Sequence, residues 1–133
     1  MKYFFILFVS LFSILAYSNE QQSVYIIEPL NNAVLQSPVT IKFGLSGMGV
    51  APAGVDRKNT GHHHLLLDLE FLPDMTKSIP SDGNHIHFGG GQTETSLALI
   101  PGEHTLQLIM GNKFHVPHEI PLISSKISIT VIE

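Results

Sequence analysis

The stretch that decides the fold class reads Val39-Thr40-Ile41-Lys42-Phe43-Gly44-Leu45. Its large apolar residues occupy every second position, and Thr40 and Lys42 lie between them. Because successive side chains of a strand point to opposite faces, this alternation predicts a strand with one buried face. The same period of two recurs along the chain, whereas a helical period does not. The sequence therefore predicts an all-β protein.

The other predicted strands are short and separated by loops. They cover residues 24–28, 62–71, 85–88, 93–100, 104–110 and 127–131, with loops at 46–61, 73–84 and 111–121. In the strand at 62–71, the leucines place His63, Leu69 and Phe71 on the core face, and His64 and Asp68 on a polar face. About seven strands without an internal repeat predict an immunoglobulin-like antiparallel β-sandwich, formed as a single domain by residues 19–133.

The N-terminus has the pattern of a signal peptide at residues 1–18. Lys2 precedes an apolar run, and Ala16-Tyr17-Ser18 resembles a cleavage site. The alternative is a membrane anchor, but the run is shorter than the roughly 20 apolar residues that a bilayer span needs. We therefore expect a periplasmic or secreted protein that has no membrane span after cleavage.

The charge of the mature chain disfavours one class of partner. Cleavage removes one of the seven Lys and Arg residues, so six remain against eleven Asp and Glu, a formal charge of −5. Nucleic-acid binding depends on clustered cations, so we expect no nucleic-acid partner. The chain also has no cysteine. Its stability must therefore come from packing, without a disulfide.

Histidine is the residue type that suggests a function. The eight histidines lie in the segments Gly61-His62-His63-His64, His85-Ile86-His87, His104 and His115-Val116-Pro117-His118. Residues two apart on a strand project to the same face, so His62 pairs with His64 and His85 with His87. Immunoglobulin-like connections would bring three of the segments to one end of the sandwich and leave His104 at the other. The predicted metal-ligand candidates are His62, His63, His64, His85, His87, His115 and His118.

Other interpretations apply to some of these residues. His63 and His104 lie on apolar faces, where a histidine ring often simply packs and hydrogen-bonds. The histidines on polar faces could be merely solvated. Ligation is favoured for the latter because crowded imidazoles repel one another when protonated and gain from sharing a cation. Imidazoles suit copper, zinc or nickel, and a thioether from Met48 would favour copper.

We do not expect the protein to be an enzyme. A zinc hydrolase needs a general base near the metal-bound water, and the candidates are Asp68 and Glu94. Asp68 lies about two pleats from His64 on the predicted strand, which is far for that role. The sequence therefore predicts a metal-binding protein for buffering or delivering copper, with zinc as the second choice. The alternative is a metal-free binding module that recognises a polar ligand or an envelope protein.

Four longer motifs resemble those of a known family. They are Gly61-His62-His63-His64-Leu65-Leu66-Leu67-Asp68, His85-Ile86-His87-Phe88-Gly89-Gly90-Gly91-Gln92-Thr93-Glu94, Pro101-Gly102-Glu103-His104-Thr105-Leu106-Gln107-Leu108 and His115-Val116-Pro117-His118. The chain resembles a secreted bacterial domain-of-unknown-function family of the 4399 type over residues 24–133. The resemblance implies a location in the bacterial envelope and no particular activity. It also places Gln92, Thr93 and Glu94 inside a motif, as further candidates for ligand binding. Isoleucine is more usual in the family where this chain has Leu67.

Overall fold

The structure, a computed structural model, describes residues 21–133, so the predicted signal peptide and its cleavage site lie outside the described residues. Within that range the chain forms nine strands and no helix. The strands are β1 (Ser23–Glu28), β2 (Ala33–Gln36), β3 (Val39–Ser46), β4 (Gly49–Val50), β5 (Thr60–Leu67), β6 (His85–His87), β7 (Glu94–Leu97), β8 (Gly102–Gly111) and β9 (Ile127–Ile132). The all-β prediction is confirmed. Since there is no helix, no helix of the described part is long and apolar enough to cross a membrane.

The strands form two sheets. The small sheet has the order β1-β3-β7 and is antiparallel throughout. The large sheet has the order β2-β9-β8-β5-β4, and β6 also pairs with β5. Its central pairings β5–β8 and β8–β9 are antiparallel, whereas the short edge strands β2 and β4 pair in parallel with β9 and β5. The edge of β5 opposite β8 is thus shared between β4 and β6.

The main core lies between the two sheets. The small sheet contributes Val24, Val39, Ile41 and Phe43, and the large sheet contributes Leu65, Leu106, Leu108, Met110, Ile129 and Val131. Alternation of apolar residues on both sheets builds this core, because every second side chain of each strand points toward the facing sheet. The predicted β-sandwich is therefore present, and the predicted inward face of the strand at 39–45 is confirmed for three of its four residues, with Leu45 half-buried.

The second face of β5 differs from the prediction. His62, His64 and Leu66 are all buried there, although this face was predicted to be polar. Leu66 packs with Ile79 and Ile109 in a second apolar cluster on the outside of the large sheet. Ile79 comes from the loop between β5 and β6, so that loop covers the sheet and removes this face from water.

The end of β5 was also predicted wrongly. The strand ends at Leu67, and the next residue, Asp68, has a φ of 55°. Because L-residues seldom adopt this left-handed conformation within a strand, the chain leaves the sheet at that point. Phe71 is consequently 77% exposed and does not join the core. The strands β2 and β4 were not predicted, and β4 lies inside the loop expected at 46–61.

Candidate metal centre

The floor of the candidate centre is the outer face of β5 and its neighbours. His62 and His64 point to this face from positions two apart on β5. The antiparallel register places His87 of β6 opposite His64, and Gly111 of β8 opposite His62. Directly opposed residues present their side chains to the same face of a sheet. His87 therefore joins the two β5 histidines, while Gly111, which has no side chain, leaves room for their rings.

A tight loop after β8 supplies the fourth imidazole. The Oδ1 atom of Asn112 accepts hydrogen bonds from the backbone of Phe114 at 2.8 Å and of Val116 at 3.2 Å. His115 has a φ of 64°, the left-handed region, and its carbonyl accepts a 2.8 Å hydrogen bond from the backbone N–H of Ile79. Holding a non-glycine residue in this conformation costs about 1–2 kcal/mol, which the loop's hydrogen bonds offset. The fold thus fixes His115 over the sheet at some cost in strain.

The four imidazoles form one compact group. His62, His64, His87 and His115 each offer one ring nitrogen, and these four atoms all lie within 4.8 Å of one another. The Nε2 atom of His62 lies 3.1 Å from Nε2 of His64 and 3.1 Å from Nδ1 of His115. Tetrahedral coordination at metal–nitrogen distances of about 2.0–2.1 Å separates the ligand nitrogens by about 3.3 Å. These two separations are therefore close to those of a shared coordination sphere.

Hydrogen bonding satisfies the two short contacts of His62 only in part. An imidazole nitrogen in the ring plane carries either one hydrogen or one lone pair, so it makes one good hydrogen bond. Nε2 of His62 has two nitrogen neighbours at 3.1 Å. The nitrogen of His62 must therefore share a single hydrogen or a single lone pair between two neighbours, which weakens at least one of the two hydrogen bonds. A cation bound by the lone pairs of all three rings would satisfy each of these nitrogens in full.

Glycines shape the walls of the group. A Cβ atom added to Gly111 would lie 2.8 Å from Nε2 of His64, and one added to Gly89 would lie 2.7 Å from Nε2 of His87. Both separations are shorter than normal van der Waals contact. Since His64 is 1% exposed, its ring has little room to move aside. The imidazoles thus occupy space that only a glycine at positions 89 and 111 leaves free.

A loop ties the site-bearing segments together. Ala51 donates its backbone N–H to the carbonyl of Gly61 at 2.8 Å, Ala53 to that of Gly89 at 2.8 Å, and Gly54 to that of Lys113 at 3.1 Å. These acceptors belong to β5, to the turn after β6 and to the loop that carries His115. We call residues 51–54 the strap. It holds the three segments in one arrangement before any ion binds, which is preorganisation of the site.

Burial keeps three histidines of the group, His62, His64 and His87, neutral. Burial, followed by repulsion from His87 and His115, lowers the pKa of His62 to about 4. Burial, followed by repulsion from neighbouring imidazoles, lowers the pKa of His64 to about 3. The pKa of His87 is lowered for the same two reasons, with burial the larger. Because metals bind the neutral ring, these rings are in the ligating protonation state at neutral pH.

The other three predicted ligands lie outside the group of four. His63 points to the main core, where its ring centroid lies 5.1 Å from that of Phe43. Burial lowers its pKa to about 4, and the nearby backbone of Gln92 opposes the shift. Nδ1 of His85 lies 2.9 Å from Oδ1 of Asp82. His118 has its Nε2 atom beside Gly61, adjacent to the group.

His104 lies at the far end of β5, as predicted. Its Nδ1 lies 2.8 Å from Oδ2 of Asp68, and its Nε2 lies 2.9 Å from the carbonyl oxygen of Ile100. Burial disfavours the charged ring, but the bonds to Ile100 and Asp68 outweigh it and raise the pKa of His104. Asp68, considered above as a general base, is therefore engaged away from the four imidazoles.

The remaining candidates also lie away from the group. Gln92, Thr93 and Glu94 are exposed, and the side chain of Gln92 accepts a 2.9 Å hydrogen bond from the backbone N–H of Gly90. Met48 packs against the main core. Of the seven histidines predicted as metal ligands, four thus lie in one group. They come from β5, β6 and the loop after β8.

Comparisons with known proteins give one match. No curated protein matches the chain, and no solved structure does. A family model described as domain of unknown function DUF4399 matches residues 41–132. That range covers all four histidines of the group and most of both sheets, and it confirms the resemblance carried by the sequence motifs. The chain is a member of the DUF4399 family.

Proposed function

We propose that the protein is an exported transition-metal-binding protein that buffers or delivers its ion in the bacterial envelope. The observation that carries the proposal is the group of four imidazoles whose ligand nitrogens lie within 4.8 Å of one another. Deeply lowered pKa values of His62 and His64 support it, since these rings need lose no proton before they ligate. Copper is the favoured ion and zinc the second.

The choice of copper rests on the chemistry of the donors. Four imidazole nitrogens suit copper, zinc and nickel, whereas calcium and magnesium prefer oxygen ligands. Among first-row divalent ions, Cu²⁺ generally binds a nitrogen site most tightly. A copper preference over zinc is therefore expected when both ions compete on equal terms. Binding is proposed rather than catalysis, because Asp68 is bonded to His104 and Glu94 is exposed on β7.

Metal titration of the untagged mature chain tests the proposal. The chain is purified without a histidine tag, freed of metal by chelator and titrated with Cu²⁺ and Zn²⁺. We expect one ion per chain, and a thermal shift that grows with ion concentration, because a ligand at 100 times its dissociation constant stabilises the folded state by about 2.7 kcal/mol. His85→Ala is the matched control, and it should bind like the parent protein.

The same experiment separates the metal-binding role from the metal-free one. A protein that retains no ion after dialysis, and whose melting is indifferent to Cu²⁺, Zn²⁺ and chelator, contradicts the proposal. That result would favour a binding module that uses the exposed residues Gln92, Thr93 and Glu94, which follow Gly89, Gly90 and Gly91. Export is tested separately: fractionation of expressing bacteria should place the protein in the periplasm or medium, with Asn19 as its first residue by mass spectrometry.

A further inference from the structure

A fifth imidazole lies next to the group of four. The Nε2 atom of His118 is buried and has no hydrogen-bond partner among residues 21–133. It lies so close to β5 that a Cβ atom on Gly61 would be 2.7 Å away, and Gly61 directly precedes His62. The isolated bridge between Gly111 and Pro117 fixes the backbone beside it. A ring nitrogen that lacks a partner is thus held at the edge of the site.

His118 also lines a groove that leads to the surface. The groove has a volume of about 230 Å³, and its wall includes Asn59, Thr60, Asn112 and Phe114. Asn59 and Phe114 are exposed, so the groove reaches solvent, whereas the nearby His62 is 1% exposed. His118 therefore lies between the outer groove and the most buried part of the group.

Burial of the site creates a problem that this fifth ring solves. An ion that approaches His62 and His64 must exchange its water shell for imidazole nitrogens, and an uncompensated charge in a dry interior is very unfavourable. A ligand that accepts the ion partway lowers the barrier by replacing lost water. We propose that His118 is a transfer ligand that passes the ion between the groove and the four-histidine group. The inference rests on the proposed metal-binding function.

The proposal predicts a kinetic effect without an equilibrium effect. A transfer ligand lies on the path in both directions, so its loss slows uptake and release by the same factor. The dissociation constant is the ratio of the two rates and does not change. A structural role for His118 would not produce this combination, since a distorted site would lose affinity.

The test compares the parent protein with His118→Ala, and with His85→Ala as a matched control. Stopped-flow absorbance follows Cu²⁺ uptake by the metal-free protein and Cu²⁺ transfer from the loaded protein to excess EDTA. We expect both rates of His118→Ala to fall by at least about 10-fold, as expected when one stabilising contact is missing from the rate-limiting step. Its dissociation constant should stay within about 3-fold of the parent, and His85→Ala should match the parent in every measurement.

Two results in His118→Ala would overturn the inference. Unchanged rates in His118→Ala would mean that the ion passes directly by His87 and His115, which are partly exposed. Loss of stoichiometric binding in that variant would make His118 a permanent ligand. If His118→Ala melts early, His118→Gln keeps a polar side chain of similar size and must show the same slowing. Absence of Cu²⁺ binding by the parent protein would instead refute the proposed function itself.

Discussion

The Nε2 atoms of His62 and His64 lie 3.1 Å apart on one face of β5, in the interior of the protein. Because both rings offer a nitrogen to the same point, removing either should destroy the site rather than weaken it slightly. We expect His64→Ala to reduce Cu²⁺ affinity by more than about 100-fold, since loss of even an indirect partner of a metal ligand costs about 10- to 100-fold. Calorimetric titration beside His85→Ala measures this, and equal affinities would refute the assignment.

Acid should destabilise the metal-free protein. The folded-state pKa values of His62 and His63 are about 4 and that of His64 about 3, whereas a histidine in the unfolded chain titrates near 6.5. Between these values the unfolded state binds more protons, so stability is fully present above pH 6.5 and is lost as pH falls toward 4. Each group contributes at most about 1.4 kcal/mol per pH unit. Urea unfolding at several pH values measures the slope, and a flat profile from pH 7 to 5 would contradict it.

His63 should be replaceable without loss of metal. Its ring is 0% exposed against Phe43, and neither ring nitrogen has a hydrogen-bond partner in the described range. A buried polar group without a partner costs about 1–3 kcal/mol, so His63→Leu should leave the free energy of unfolding unchanged or raise it by up to about 2 kcal/mol. Cu²⁺ affinity should stay within about 3-fold of the parent. A loss of binding comparable with that of His64→Ala would show that His63 is a ligand.

The glycine at position 111 should matter for metal binding because a larger residue would clash with a ligand. Gly111→Ala places a methyl group 2.8 Å from Nε2 of His64 and should displace that ring, lowering Cu²⁺ affinity by at least about 10-fold. Gly83→Ala is the matched control, since a Cβ atom there would meet no other atom of the described chain within 4 Å. Titration of both variants checks this, and equal affinities would mean that the site adapts to the added methyl group.

The pair formed by His104 and Asp68 should serve stability and not binding. Asp68 also accepts a 2.8 Å hydrogen bond from the backbone N–H of Thr105. Asp68→Ala leaves that group and Nδ1 of His104 without their partner, so we expect a loss of about 1–3 kcal/mol in the free energy of unfolding. Cu²⁺ affinity should not change. Because the pKa of His104 is raised, its stabilising contribution is present below pH 6.5 and is lost as pH rises through the folded-state pKa.

The parts of the structure that follow from strand alternation could be predicted from the sequence. The strand predicted at 39–45 is observed as β3, which extends one residue further, to Ser46. The closing strand predicted at 127–131 is observed as β9, which also extends one residue further, to Ile132. The pairing of His62 with His64 follows from the same rule. The closeness of His87 to this pair also agrees with the prediction that three of the histidine segments meet at one end of the sandwich.

Features that depend on contacts between residues far apart in the sequence could not be predicted from strand alternation. Burial of the second face of β5 arises when Ile79, from a loop, packs on Leu66 and Ile109. Leu66 carried a signal, since it is a large aliphatic residue on the face of the strand at 62–71 that was predicted to be polar. The choice of His115 over His118 depends on the left-handed backbone at 115 and on its bond with Ile79, and local alternation encodes neither.

At residue 115, low backbone strain and the provision of an imidazole favour different residue types. Asn and Gly adopt a φ near 64° with less strain than His does, so exchanging His115 for either should relax the loop while discarding a ligand. A loop with Asn or Gly at position 115 would therefore be less strained but would leave three imidazoles in the group instead of four. The fourth imidazole is thus held at the expense of loop stability.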